Sequence, residues 1–142
     1  MNFRKQSVRT KGLAVVGGNM EKLNVIKYND YHFVPKGWGW ERWIVNLEYC
    51  GKILHFYKGK KFSWHNHNIK DEFFYVVFGR VILRYGWDED ISLCNSIELN
   101  KGDGVHIPTG LIHQVEALEE SEIWEVSSHH EDSDSRRVIR GD

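Results

Sequence analysis

The sequence predicts an all-β protein, a single sandwich or barrel of about ten short strands. Three observations carry this. Helical periodicity is hard to find anywhere in the chain. Short apolar and aromatic stretches recur instead, at a spacing of roughly 8–12 residues. Gly- and Asn-rich turn sequences separate them.

The elements follow in order. "YHFV" (31–34) stops at Pro35-Lys36-Gly37, "WGWERWIV" (38–45) at Asn46, and "YCGKILHFYK" (49–58) at Gly59. "FSWHNH" (62–67) precedes a polar gap, and "EFFYVVFG" (72–79) turns at Gly79 into "RVILRYGW" (80–87). "DED" (88–90) reads as a solvated turn. "SIEL" (96–99) meets "NKGDG" (100–104), and then come "VHIP" (105–108), "LIHQVEAL" (111–118) and "EIWEVSS" (122–128). Alternation in "RVILRYGW" and "EIWEVSS" predicts sheets with one face buried and one wet.

A chain of 142 residues suits one domain with a real core. The expected division is a disordered basic extension over 1–22, a barrel over 23–128 and a polar, charged tail over 129–142. The tail could be loose or fold back over the barrel. The first twenty residues hold Arg4, Lys5, Arg9 and Lys11 with no acid, and "LAVV" is too short for a secretory signal. Nineteen basic and twenty acidic residues leave no basic excess for nucleic acid. The longest apolar runs are too short to span a membrane. Cys50 and Cys94 are too few for a disulfide framework or a thiolate metal site, which suits a reducing, cytoplasmic setting.

"HNHNIKDE" (65–72) places ionisable groups at the mouth of an apolar strand, where burial is expensive without a partner. Side chains at i and i+2 of a strand share a face, so His65 and His67 aim together. Glu72 opens the next strand, and His113 follows "GDGVHIPTGLI" at the head of another. Three imidazoles and a carboxylate suit one divalent ion, with Mn, Fe, Zn, Co and Ni all compatible.

Gly59-x5-His65-x-His67-x4-Glu72-x6-Gly79 resembles the first motif of the cupin superfamily, and Gly102-x5-Pro108-x-Gly110-x2-His113 resembles the second. The resemblance covers about residues 38–128. It implies a single-domain, jelly-roll β-barrel with a metal bound by His65, His67, Glu72 and His113. Gly79 and Gly110 stand where tight turns need positive φ. Glu116 departs from the second motif, where many members carry Asn.

A looser resemblance narrows the function. "KGWGWERWIV" (36–45), "IPTGLIHQVE" (107–116) and the ending "EIWEVSSHHEDSDSRRVIRGD" (122–142) are similar to the cupin module of type II phosphomannose isomerases. Lys36-Gly37 replaces the usual Arg-Pro before Trp38-Gly39. The resemblance implies a metal-dependent sugar or sugar-phosphate isomerase working through an enediolate. The alternatives are an Fe- or Mn-dependent dioxygenase and a non-catalytic binding module for a small molecule, expected to be a carbohydrate.

Tyr57, Tyr75, His55, His106 and Glu125 are the possible proton carriers. Trp64, Lys70, Tyr75 and Arg84 are the expected substrate contacts. Lys60 and Lys61 are further rim cations, and Trp38 and Trp40 are further aromatic surfaces for a sugar. His129 and His130 are read as solvated. A homodimer is expected, with "YHFVPKGWGWERW" exchanged or packed across it.

Overall fold

The structure is a computed structural model and describes residues 22–142. The extension expected over 1–22 therefore lies, apart from Lys22, outside the described residues. No helix is long and apolar enough to cross a membrane among them.

Among the described residues eleven strands form two antiparallel sheets, the all-β architecture expected from the strand spacing and consistent with the jelly roll that the cupin resemblance implies. In the first sheet, β1 (His32–Lys36), β2 (Gly39–Asn46), β3 (Tyr49–Phe56), β10 (Ser121–Ser128), β5 (Glu72–Phe78) and β8 (Gly104–Ile107) lie side by side in that order. The second runs β11 (Ser135–Ile139), β4 (Trp64–His67), β9 (Ile112–Ala117), β6 (Arg80–Gly86) and β7 (Asn95–Asn100). Three single 3-10 turns are the only helical pieces among the described residues.

Two-residue alternation decides what each strand buries. In β5, Glu72, Phe74 and Val76 point inward while Phe73 and Tyr75 stay exposed. In β3, Cys50, Lys52, Leu54 and Phe56 are buried. The apolar core fills one end of the barrel, where Phe56, Phe74, Val76, Leu83, Val115 and Ile123 meet. Toward the other end the inward residues become Lys52, His65, His67, Glu72, Glu125 and Ser127, all nearly inaccessible to solvent. β10 shows the change along one strand: Ser121 and Ile123 face the core, Glu125 and Ser127 the polar end.

Two turn glycines meet the conformational demand read from the sequence. Gly79 has φ +84°, and a Cβ there would lie 2.5 Å from the Glu120 carbonyl oxygen. Gly110 has φ +88°. β-branched and most other side chains disfavour this region.

The chain beyond residue 128 folds back. Asp134 accepts hydrogen bonds from the backbone N–H groups of Asn68 (3.0 Å), Ile69 (3.0 Å) and Lys70 (2.9 Å). The next residues form β11 on the edge of β4, with Ser135 opposite His67 and Arg137 opposite His65. The N-terminal hairpin β1–β2 pairs with β3 of its own chain.

Candidate metal centre

β4 and β9 pair so that His65 stands opposite His113. His67, two residues along β4, shares their face. The ligating nitrogens of His65, His67 and His113 lie within 4.8 Å of one another. Phe62 and Phe74 pack edge-on against the cluster, with ring centroids 5.0 Å (Phe62–His65) and 5.8 Å (Phe74–His113) apart.

Backbone carbonyls orient two of the rings. His113 Nδ1 lies 2.9 Å from the Leu111 carbonyl oxygen, and His65 Nδ1 2.8 Å from that of Ser63. Each Nδ1 therefore carries the proton and donates it, which leaves Nε2 with a free lone pair. Burial, with His113 beside it, holds His65 well below the ordinary imidazole range. Burial and the nearby Lys70 charge lower His67 to about 2. Both are neutral at physiological pH, the form that binds a metal.

The Glu72 carboxylate completes the arrangement. Its Oε2 lies 3.1 Å from His113 Nε2 and 3.6 Å from His67 Nε2. Neither approach has hydrogen-bond geometry, so Glu72 Oε2 and His113 Nε2 are buried with no hydrogen-bond partner. Buried polar atoms without partners are rare in folded proteins. Two converging on one point, beside two more imidazoles, fit a cation that takes a lone pair from each. The donor set of nitrogen and oxygen suits a first-row divalent ion.

The other Glu72 oxygen is held by Lys70, whose Nζ is 2.7 Å from Oε1. The same ammonium reaches Glu125 Oε2 at 3.3 Å and His130 Nδ1 at 3.1 Å. Its three protons have three acceptors. Burial alone would lower Lys70; Glu125 and Glu72 outweigh it and raise the pKa. Burial likewise pushes Glu125 up, but Lys70 and Lys52 win and keep it ionised. His130 accepts from Lys70 through Nδ1, so its proton sits on Nε2, which donates to Asp132 Oδ1 at 2.9 Å. Burial, Lys52 and Lys70 lower His130 to about 4.

These groups line a cavity of about 470 Å³ that opens between the two sheets. Of the four expected ligands, His65, His67 and Glu72 line it directly, and His113 lies beneath them, 1 % exposed. Of the expected substrate contacts, only Lys70 does. The structure places the other three outside its lining. Trp64 is wholly buried on the opposite face of β4, its indole N–H donating to the Glu89 carbonyl. Tyr75 points outward from β5, 44 % exposed. Arg84 lies outside the cavity with Glu116 at 2.7 Å.

Several other expectations sort in the same way. Glu125 lines the cavity, whereas Tyr57, Tyr75, His55 and His106 do not. His55 stacks on Trp40, and His106 bonds Asp71. Trp38 lines the cavity, stacked on Phe56 with centroids 4.5 Å apart. His130 is not solvated but 9 % exposed, because the returning tail carries it under Trp43. Lys52, Arg137 and Arg140 also line the cavity, brought there by strand pairings that carry no local sequence signal.

Comparison with known structures places this architecture among proteins of related fold. The chain superposes on oxalate decarboxylase from Bacillus subtilis with a TM-score of 0.68 at 20% identity, covering 79% of this chain and 31% of that one. CapF, solved with the inhibitor 3-isopropenyl-tropolone, gives 0.65 at 18% identity, covering 75% and 33%. KdgF from Halomonas sp. gives 0.64 at 18% identity, covering 79% of this chain and 98% of that one. The chain thus spans about a third of the length of the first two. No curated protein matches it. The cupin domain model matches residues 52–126, more than half of the chain, and the protein belongs to the cupin domain family.

Proposed function

We propose that this protein is a metal-dependent isomerase of a sugar or sugar phosphate, with His65, His67, His113 and Glu72 holding the ion. The observation that carries the reading is Glu125, an ionised carboxylate that lines the same cavity as His65 and His67, from the opposite sheet. A cavity of about 470 Å³ suits a monosaccharide. When bound, a divalent ion supplies Lewis acidity that polarises a carbonyl.

The chain's own groups do the rest. Glu125 accepts the proton from C2 of the aldose and returns it to C1, while the O2 proton passes to O1, giving the ketose through an enediolate. Lys70 holds the Glu125 carboxylate in place, donating to Oε2 at 3.3 Å. Trp38 and Phe62 form the apolar side of the cavity and limit access of water.

The test is to incubate manganese-loaded protein with mannose 6-phosphate, mannose and lyxose in deuterated water. Ketose formation with deuterium at the exchanged carbon is expected, and Glu125→Gln should abolish both while retaining the metal. No ketose and no deuterium from any of the three would overturn the reading and leave a binding module.

We also propose a homodimer. Its support is the outer face of the first sheet, where Phe73, Tyr75, Trp124 and Val126 stand together, each more than two-fifths exposed. Light scattering should report twice the chain mass; a monomer refutes it.

A further inference from the structure

The described residues contain six arginines. Arg42 donates to the Tyr28 carbonyl, Arg80 pairs with Glu98 and Glu119, Arg84 with Glu116, and Arg136 with Glu89. The guanidinium groups of Arg137 and Arg140 alone have no hydrogen-bond or ion-pair partner among the described residues, and both residues line the metal cavity. The cavity's lysines are engaged. Lys70 has its three acceptors, Lys52 lies 3.6 Å from Glu41 and over the Trp43 ring, and Lys36 reaches Glu41 at 4.0 Å. The acids near the mouth are engaged too: Asp132 by His130, and Asp142 Oδ2 by the Lys61 backbone N–H at 2.9 Å.

The backbone aims the two guanidinium groups deliberately. Arg137 stands directly opposite His65 and projects to the same side. Residues three apart in a regular strand point to opposite faces. Here the register shifts between Arg137 and Ile139, so that Ile139 faces Trp64, one step along β4 from His65. That extra residue returns Arg140 to the cavity side, beside Ser63, which also lines the cavity. The two arginines leave the backbone about 7 Å apart, two strand steps. Planar guanidinium forks so placed converge on the oxygens of one phosphate or carboxylate.

We propose that Arg137 and Arg140 form an oxyanion-binding subsite at the mouth of the metal cavity, so that the substrate carries a phosphate ester or a carboxylate. This deepens the isomerase reading by naming the substrate class, and it uses that reading's cavity. Arg136, one residue away, faces outward to Glu89 and takes no part.

The test titrates the full chain, loaded with Mn(II), with inorganic phosphate and with malonate by calorimetry. Arg137→Gln/Arg140→Gln should weaken the preferred anion about ten-fold or more, the scale set by losing charged hydrogen bonds. Arg136→Gln should leave it unchanged, and manganese content should be the same in all three proteins. Preference for phosphate assigns a phosphate ester; preference for malonate assigns a carboxylate. Equal affinity in wild type and double variant, or no binding of either anion to wild type at millimolar concentration, overturns the subsite. The isomerase reading fails separately. Arginine-dependent phosphate binding without turnover of mannose 6-phosphate would sink the isomerase and keep the subsite. Turnover that the double variant leaves untouched would do the reverse.

Discussion

Lys70 and Arg137 are cations on the walls of one cavity, in opposite circumstances. The side chain of Lys70 is 2 % exposed, and its ammonium gives all three protons to protein acceptors. The guanidinium of Arg137 stands at the mouth with no partner among the described residues. A buried charge survives only when paired and hydrogen-bonded, so Lys70 serves the protein itself. It fixes one Glu72 oxygen and leaves the other facing the histidines. An exposed charge needs no internal partner, and Arg137 keeps its donors for something that arrives. The deep end of the cavity is set in advance; the mouth is available.

The largest effect is expected at Lys70. Lys70→Met leaves Glu72 and Glu125 buried with no cation between them, and should cost about 3–5 kcal/mol of stability in metal-free protein. Urea denaturation of the metal-free protein measures this. A loss below about 1 kcal/mol, the scale of an exposed ion pair, would mean that solvent screens the group and that the deep end is not closed.

His130 sharpens the contrast through pH. Its folded pKa, about 4, lies below the ordinary 6.5 because burial and two lysines oppose the imidazolium. The unfolded chain therefore binds the extra proton first as pH falls. The His130 contribution is intact above pH 6.5 and is lost progressively toward pH 4, by up to about 3 kcal/mol. His130→Asn keeps an acceptor for Lys70 and removes the titration. Its stability should fall less steeply than wild type between these pH values; parallel curves would place His130 in water.

A smaller effect is expected where the tail closes on the barrel. A Cβ on Gly141 would lie 2.5 Å from the Phe62 carbonyl carbon and 2.6 Å from the Ser63 nitrogen, both backbone atoms. Gly141→Ala should displace the contact between Asp142 and Lys61 at a cost of about 1 kcal/mol, read as a lower midpoint in thermal unfolding. Because Arg140 precedes it, anion affinity should fall as well. Smallest of all, Arg137→Gln should leave stability within about 0.5 kcal/mol of wild type, the mark of a side chain that the fold does not use. A larger loss would expose a partner for it.

Most of the deep end was legible in the sequence. His65 and His67 share a strand face by spacing alone, and Gly102, Pro108 and Gly110 place His113 at a strand head. The segment "EIWEV" misleads: Trp124 and Val126 form an apolar pair on one face, yet they are exposed, while Glu125, on the face of Ile123, is buried. Alternation says that a strand has two faces; only the neighbours β3 and β5, which carry Leu54 and Phe74 inward, say which face Ile123 and Glu125 occupy. Trp64 misleads similarly, since it borders two ligands in sequence but lies on the far side of the strand.

By itself, then, the sequence determined the all-β class, the turns at Gly79 and Gly110 and the grouping of the histidines. These depend on side-chain period and on backbone freedom, which are local properties. Only the tertiary structure decided that Lys70 joins Glu72, Glu125 and His130, that pairing with His65 turns Arg137 toward the cavity, and that a register shift brings Arg140 to the same side. Lys70 and Glu72 apart, those contacts join residues about fifty to seventy positions apart, across strand pairings that no local pattern specifies.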